Sequence, residues 1–285
     1  MKRVAWRRDE ESVAASIGTM LAVLVMLALL TMVTTSWAPE WTKSKEADHM
    51  RVVESQMSNL KALVDSLTLS GNTNAVVSSP ITLGSSGVPL FSSTAHGTIS
   101  LRSSSSEGFN TFNITNSTGR FERVAYGSIA YESHNTEFID QEYFYECGAI
   151  VINQGKESVV SIGPGTIIQN VSGQLEISIT LVSITSDGST YTSDGTVGVQ
   201  CRLVNEKICT TNTWPGLETV HIEITSPAYE AWKDYWNHII PKSGVGSGDY
   251  DVSVDADEEM VSVELRNVLT VHADYAVVGA SLDLS

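Results

Sequence analysis

The sequence predicts a mainly β protein with a long N-terminal helix, in which an antiparallel β-sandwich carries one short amphipathic helix. Three observations support this fold class. An apolar run at 13–33 and then a heptad pattern at 50–67 lie within the first 70 residues. From residue 78 onward, short segments of period-two hydrophobicity alternate with turn residues, which is typical of a sandwich. One later segment returns to helical periodicity.

The first element is an apolar run from Val13 to Val33. As a helix it is about 32 Å long, close to the hydrocarbon thickness of a bilayer, whereas a cleaved secretion signal has an apolar core of only about 7–15 residues. Trp37 and Trp41 follow the run, as in an aromatic belt. The cations that precede it are Lys2, Arg3, Arg7 and Arg8. The sequence therefore predicts a membrane helix with a cytoplasmic N-terminus and everything after Trp41 outside.

Small side chains are frequent in this run, and Gly18 and Ala22 lie one helical turn apart. Small residues let helices approach closely inside a membrane or a dry bundle. We therefore predict that this helix packs against other helices, and that Gly18 and Ala22 belong to the contact.

The segment RRDEES followed by VAASIGTMLAVLVMLALLTMV resembles the N-terminal helix of archaeal type IV pilin-like and archaellin-like surface proteins. Those helices follow a short basic leader and often contain an S-x-x-I-G-T or similar cluster, to which Ser16-Ile17-Gly18-Thr19 is a near match. The resemblance implies membrane insertion, in some members leader cleavage, and often polymerisation through the apolar helix beneath a β-rich exterior. One departure is the stretch Arg8-Asp9-Glu10-Glu11-Ser12, in which no small residue after the basic leader makes a convincing leader-peptidase site.

A second helical segment follows Pro39, which should interrupt or kink any helix continuing from the apolar run. Its heptad seam consists of Met50, Val53, Met57, Leu60, Val64 and Leu67. The seam has two interpretations: it packs on the chain's own β-domain, or it joins copies of the chain in a coiled coil or bundle. Gly71 ends the helix. The predicted divisions are a basic cytoplasmic leader (1–11), a membrane or filament-core helix (12–38), a helical stalk (39–70) and an extracellular β-domain (71–285).

The strands of the β-domain are predicted from period-two segments between turn clusters such as Asp187-Gly188. They are Thr98–Arg102, Phe109–Thr115, Val124–Tyr131, Phe138–Tyr145, Ala149–Asn153, Leu175–Ile184, Thr196–Val204, Val220–Thr225, Tyr250–Val254, Val261–Leu265 and Val268–Ala273.

The short amphipathic helix is predicted in SPAYEAWKDYWNHII, with Ser226 as N-cap and Pro227 in the first turn. Its apolar face should pack on a sheet. That face consists of Tyr229, Trp232, Trp236, Ile239 and Ile240.

Cys201 and Cys209 flank Asn205 symmetrically in QCRLVNEKICT. If this stretch is a hairpin that turns near Asn205, the two cysteines face each other and form a candidate disulfide; otherwise they are two unbridged thiols. Cys147-Gly148 suits a tight turn between two strands, and we predict that Cys147 forms no disulfide.

Three sequons make Asn113, Asn116 and Asn170 candidate N-glycosylation sites, the first two in the polar loop predicted for NITNSTGR. A glycan there would shield a loop and would not imply an activity.

Acidic residues recur at every second position or multiples of it from Asp249 to Asp257. Carboxylates in such number suit a hard cation, but the EF-hand template fails, since Val254 takes its glycine position and Met260 its bidentate position. We prefer a strand whose carboxylates face water while Val252, Val254 and Ala256 point inward.

Composition and motifs exclude several classes of function. The formal net charge of −16 repels nucleic acid, so no such partner is expected. The chain has no G-x-S-x-G, H-E-x-x-H, P-loop or Rossmann motif, and its 6 histidines lack ligand spacing. We therefore predict no enzyme activity, no cofactor and no metal site. The expected function is that of a pilin-like surface protein that assembles with itself or with related proteins. The alternative is a single-pass anchored extracellular binding module that does not polymerise.

Overall fold

The computed structural model describes residues 3–87, 94–104, 110–116, 119–205 and 208–283. Its helices are α1 (Arg3–Met32), α2 (Ala38–Ser70) and α3 (Tyr229–Lys242), with a π-helical segment at Val33–Trp37. The strands are β1 (Val76–Thr82), β2 (His96–Arg102), β3 (Asn110–Asn116), β4 (Gly119–Tyr126), β5 (Ser128–His134), β6 (Gln141–Glu146), β7 (Ala149–Gln154), β8 (Glu157–Ile162), β9 (Gly165–Val171), β10 (Gln174–Thr185), β11 (Thr190–Ser193), β12 (Thr196–Leu203), β13 (Ile208–Thr225), β14 (Tyr250–Asp255) and β15 (Met260–Asp283).

Helices α1 and α2 form one continuous helix that passes through the π-helical segment. The backbone N–H of Ala38 donates to the carbonyl of Val33, five residues earlier. Pro39 follows directly, and because it has no N–H and its ring crowds the carbonyl four residues before it, the regular α-helical pattern cannot run through this point. The predicted interruption at Pro39 is therefore a local π-helical segment. At its other end the helix stops at Gly71, whose φ of 63° is left-handed.

The described strands form two sheets, and the class predicted from sequence is confirmed: the described residues are mainly β, with a long N-terminal helix and one further short helix. In the nine-stranded sheet, β15 pairs on one edge with β12 and β13 in succession, and on the other with β10 and β14. The six-stranded sheet has the order β11-β2-β5-β6-β7-β8. Among the described strand pairs only β10 and β15 are parallel.

The heptad seam of α2 lies in a core between this helix and both sheets. Every seam residue is at most 3% exposed, so the interpretation that the seam packs on the chain's own β-domain is correct. The assignment of these residues to a seam between copies is therefore wrong, because they are already enclosed. The residues concerned are Met50, Val53, Met57, Leu60, Val64 and Leu67. The stalk and β-domain predicted as separate units share this core.

Helix α3 packs on the second core, where Trp232, Trp236 and Ile240 are completely buried, as its apolar face predicted. The predicted N-cap is wrong. Ala228 occupies that position, and no side chain caps the helix. The Ser226 hydroxyl instead donates to the carboxylate of Glu146 at 2.8 Å and accepts the N–H of Ala228. The hydroxyl thus accepts an N–H that precedes the helix, which begins at Tyr229.

Several predicted strands change their limits in the structure. Val124–Tyr131 divides into β4 and β5 at Gly127, where a Cβ atom would collide with the carbonyl oxygens of Arg102 and Ile184. The last two predicted strands are one strand, β15, in which Asn267 has a φ of 62°. Sequence reasoning missed β1, β8, β9 and β11.

Candidate functional site: the unpacked apolar helix and its junction with the β-domain

The apolar half of the long helix is exposed along its length. The helix from Val13 to Ser70 contains an 18-residue window with a mean hydropathy of 2.5, none of which is buried. Met20 and Met26 are 70% and 71% exposed. By length and composition this helix is able to cross a membrane.

The hydroxyl groups in and after this run bond within the helix. Thr19 Oγ1 donates to the carbonyl of Ser16 at 2.9 Å, and Thr31 Oγ1 donates to that of Leu27 at 2.8 Å. Thr35 Oγ1 in turn donates to the carbonyl of Thr31 at 2.7 Å. Because these donors are satisfied locally, the helix can enter an apolar medium as far as Thr35 without leaving them unpaired.

Gly18 and Ala22 lie on the exposed part of this helix. A Cβ atom on Gly18 would meet nothing within 4 Å, so packing within the chain does not require a glycine at this position. Their part in a contact between helices stays a prediction.

The junction with the β-domain begins at two exposed tryptophans. Trp37 and Trp41 are about half exposed, and their ring centroids are 6.4 Å apart. About 100° further round the helix, Ala38 and Thr42 are already buried. The helix therefore changes from unpacked to docked within one turn, and the tryptophans mark the level of that change.

Glu46 anchors α2 to the loop between β5 and β6. Its carboxylate is 1% exposed and accepts three consecutive backbone N–H groups, from Thr136, Glu137 and Phe138, at 2.8, 2.9 and 2.7 Å. Three such donors compensate a buried carboxylate without a cation.

One turn further along α2, His49 bonds to a buried tyrosine. Its Nε2 lies 3.2 Å from the hydroxyl of Tyr131, which donates to the carbonyl of Leu83 at 3.0 Å. Burial lowers the pKa of His49 and raises that of Tyr131. The Tyr143 hydroxyl donates to the carbonyl of Met50, and burial raises the pKa of this tyrosine to about 12. Two tyrosines of the six-stranded sheet thus fix the docked half of the helix.

The predicted disulfide is absent, because Cys201 and Cys209 do not lie in a hairpin. Their strands, β12 and β13, are both antiparallel to β15 and follow one another along it. Cys201 pairs with Ala280 and Cys209 with Asp274, six positions away. At about 3.4 Å per residue this is roughly 20 Å, whereas a disulfide needs Cα atoms within about 7 Å.

The prediction that Cys147 lies at a turn and forms no disulfide is confirmed. The residue is buried, forms no disulfide, and has a φ of 49°, with 82° at Gly148 in the turn between β6 and β7. Burial raises the pKa of its thiol, which makes it a poor nucleophile.

The three sequons lie in different surroundings. Asn113 is inside β3, between β13 and β4, and donates to Glu223 at 3.3 Å. Asn116 ends the same strand, so the polar loop predicted there is a strand up to this residue; Ser117 and Thr118 lie outside the described residues. Asn170 is exposed. It is the most accessible of the three asparagines.

The acidic stretch is mainly solvated, as preferred from sequence. Asp255 accepts the N–H groups of Asp257 and Glu258 and so shapes the turn after β14. Val252 packs on the core, but Val254 and Ala256 are exposed, which corrects their expected inward direction. Within the described ranges, no three His, Cys, Asp or Glu side chains come together as metal ligands.

Comparison with known proteins gives no relative for this chain: no family model, no curated protein and no solved structure matches it.

Proposed function

We propose that this chain is a pilin-like structural protein of the cell surface, which assembles through its N-terminal apolar helix and exposes its β-domain. The observation that carries the proposal is the contrast between the two halves of one helix. The apolar side chains after Val13 are unpacked, whereas the seam from Met50 to Leu67 is buried in the chain's own core. The first half therefore needs an apolar environment that the chain itself does not provide.

Two environments meet that need: the hydrocarbon of a membrane, and the apolar helices of other copies. The exposed small residues Gly18 and Ala22 favour helix contacts, because close approach of backbones is what holds helices together in an apolar medium. The resemblance to archaeal pilin-like and archaellin-like helices supports the same proposal. Membrane insertion would then precede assembly, with lipid replaced by neighbouring helices.

The proposed orientation puts the N-terminus in the cytoplasm. The leader carries Lys2, Arg3, Arg7 and Arg8, and cationic flanks stay on the cytoplasmic side. Trp37 and Trp41 would then lie at the outer interface, directly below the docked part of α2. The β-domain would stand outside the cell, held by a helix fixed through Glu46 and His49.

Cross-linking in intact cells tests the proposal. We expect ladders of oligomers from the wild-type chain and their loss in Gly18→Leu, because bulk at a small contact position separates the helices. Val23→Leu is the matched control, since it adds volume at another exposed position of the run. Oligomers that persist unchanged in Gly18→Leu would show that the helix contact is assigned wrongly.

The alternative is a solitary anchored binding module. It is favoured by the stretch Arg8-Asp9-Glu10-Glu11-Ser12, in which no small residue makes a convincing cleavage site. The burial of the seam also favours it, because the seam residues are not available for a contact between copies. The intact mass of the mature protein separates the two. Loss of roughly the first ten residues would support processing for assembly, and a retained Met1 with monomers in cross-linking would support the anchor.

A further inference from the structure

Two histidines lie side by side on the six-stranded sheet. His96 begins β2 and His134 ends β5, and the two are directly opposite in the antiparallel register. Their ring centroids are 5.0 Å apart, with an angle of 42° between the planes. Neither belongs to the helix junction or to the proposed contact between helices.

We propose that His96 and His134 bind a divalent transition-metal ion of the Zn²⁺ type. Imidazole nitrogens hold Zn²⁺ at about 2.0–2.1 Å, and two rings on one ion at a near-tetrahedral angle have centres roughly 5 Å apart. The observed separation matches this value. Zn²⁺, Cu²⁺ and Ni²⁺ all accept imidazole, whereas Ca²⁺ and Mg²⁺ require oxygen ligands.

A neighbouring hydroxyl orients one of the two rings. His134 Nε2 lies 3.0 Å from Thr98 Oγ1, which is in turn 2.8 Å from Thr192 Oγ1. With Nε2 engaged by Thr98, Nδ1 of His134 is left for the metal. Metal-binding histidines commonly use their second ring nitrogen in this way, because the hydrogen bond fixes both tautomer and ring direction. His96 is exposed and makes no hydrogen bond with the described residues.

The backbone around the pair is held firmly. Gly97 lies so close to the carbonyl of Leu83 and the ring of Tyr131 that a Cβ atom would collide with both. Directly before His134, the hydroxyl of Ser133 accepts the N–H of Gln141 at 2.7 Å. In the loop after His134, the carboxylate of Glu46 accepts three backbone N–H groups, from Thr136 to Phe138. Ligands on such rigid segments need little reorganisation on binding.

The site supplies two protein ligands, since no third His, Cys, Asp or Glu joins them in the described part of the chain. Water completes the coordination. Binding would link the ends of β2 and β5 beside the loop that Glu46 anchors, and would therefore stabilise the folded domain by mass action.

Calorimetric titration of the full chain in detergent with ZnCl₂, in the absence of a polyhistidine tag, tests this site. We expect one ion per chain, an affinity at least tenfold weaker in His96→Asn and in His134→Asn, and unchanged affinity in the control His272→Asn. Thr98→Val should also weaken binding while leaving both ligands in place. CaCl₂ should give no binding, and Zn²⁺ should raise the melting temperature of the wild type but not of His96→Asn. Absence of binding, or binding that His96→Asn retains, would overturn the proposal.

Discussion

The carboxylate of Glu46 in α2 accepts a 2.7 Å hydrogen bond from the backbone N–H of Phe138, far away in the sequence. With Thr136 and Glu137 as further donors, this one side chain ties the helix to the loop between β5 and β6. The docked half of α2 and the loop of the β-domain are thereby joined directly by three hydrogen bonds.

Replacing this carboxylate should loosen the junction. In Glu46→Gln a single amide oxygen has to serve three N–H groups, and hydrogen bonds to a charged acceptor contribute about 1.5–3 kcal/mol. We expect a loss of that order in the free energy of unfolding, measured by chemical denaturation and near-ultraviolet circular dichroism of the full chain in detergent. Glu40→Gln, at an exposed position of the same helix, should change it by less than about 0.5 kcal/mol. Equal effects of the two variants would contradict the anchoring role.

His49 should make the domain sensitive to acid. Its pKa is lowered by burial, so below the ordinary value of about 6.5 the unfolded chain binds more protons than the folded one. Stability should therefore fall as the pH drops from about 6.5 through the lowered pKa, by at most about 1.4 kcal/mol per pH unit for one proton. Tyr131, Tyr143 and Glu46 lie around this histidine, and a hydrogen bond with the backbone of Leu83 raises its pKa by less than burial lowers it.

Denaturation curves at several pH values check this expectation. His49→Gln keeps a donor for Tyr131 but does not titrate. Its free energy of unfolding should therefore fall less steeply with decreasing pH than that of the wild type. The exposed His272 provides the control, because His272→Gln leaves the buried site intact. An equally steep fall of stability with decreasing pH in His49→Gln would show that other titratable groups cause the acid sensitivity.

Leu60 should matter for folding and not for assembly. It is completely buried in the core that α2 shares with both sheets, so Leu60→Ala should cost about 2–5 kcal/mol of unfolding free energy. Val52 of the same helix is 47% exposed, so Val52→Ala should reduce the free energy of unfolding far less. Cross-linked oligomers should persist in Leu60→Ala at temperatures where the domain stays folded. Loss of oligomers without loss of stability would instead support the interpretation that the seam joins copies of the chain.

Local patterns predicted much of this fold. The heptad spacing of α2 identified the residues that are buried, the Cys147-Gly148 pair identified its turn, and the apolar face of α3 located Trp232 and Trp236. Each of these features depends on side chains within a few positions of one another. What the sequence left open was the surface that covers the seam, because a stripe of apolar residues fits a sheet as well as another helix.

Features set by distant partners were missed. The stretch around Asn205 has the composition of a turn, yet β12 and β13 continue along β15, whose pairing partners lie some 70 positions away. Serine is a common N-cap residue, yet the hydroxyl of Ser226 donates its hydrogen bond to Glu146. The pair His96 and His134 had no signal in the sequence, since 38 positions separate two residues that only strand register brings together.

The thiols should differ sharply in reactivity. Cys147 and Cys201 are at most 1% exposed, and burial raises the pKa of Cys201 to about 12, so neither should react with a maleimide in the folded chain. Cys209 is exposed on β13 and should react. Mass spectrometry of the full chain in detergent should therefore find one label per native chain and three after unfolding. Cys209→Ser should abolish the native label, whereas a non-reduced peptide joining Cys201 to Cys209 would contradict the succession of β12 and β13 along β15.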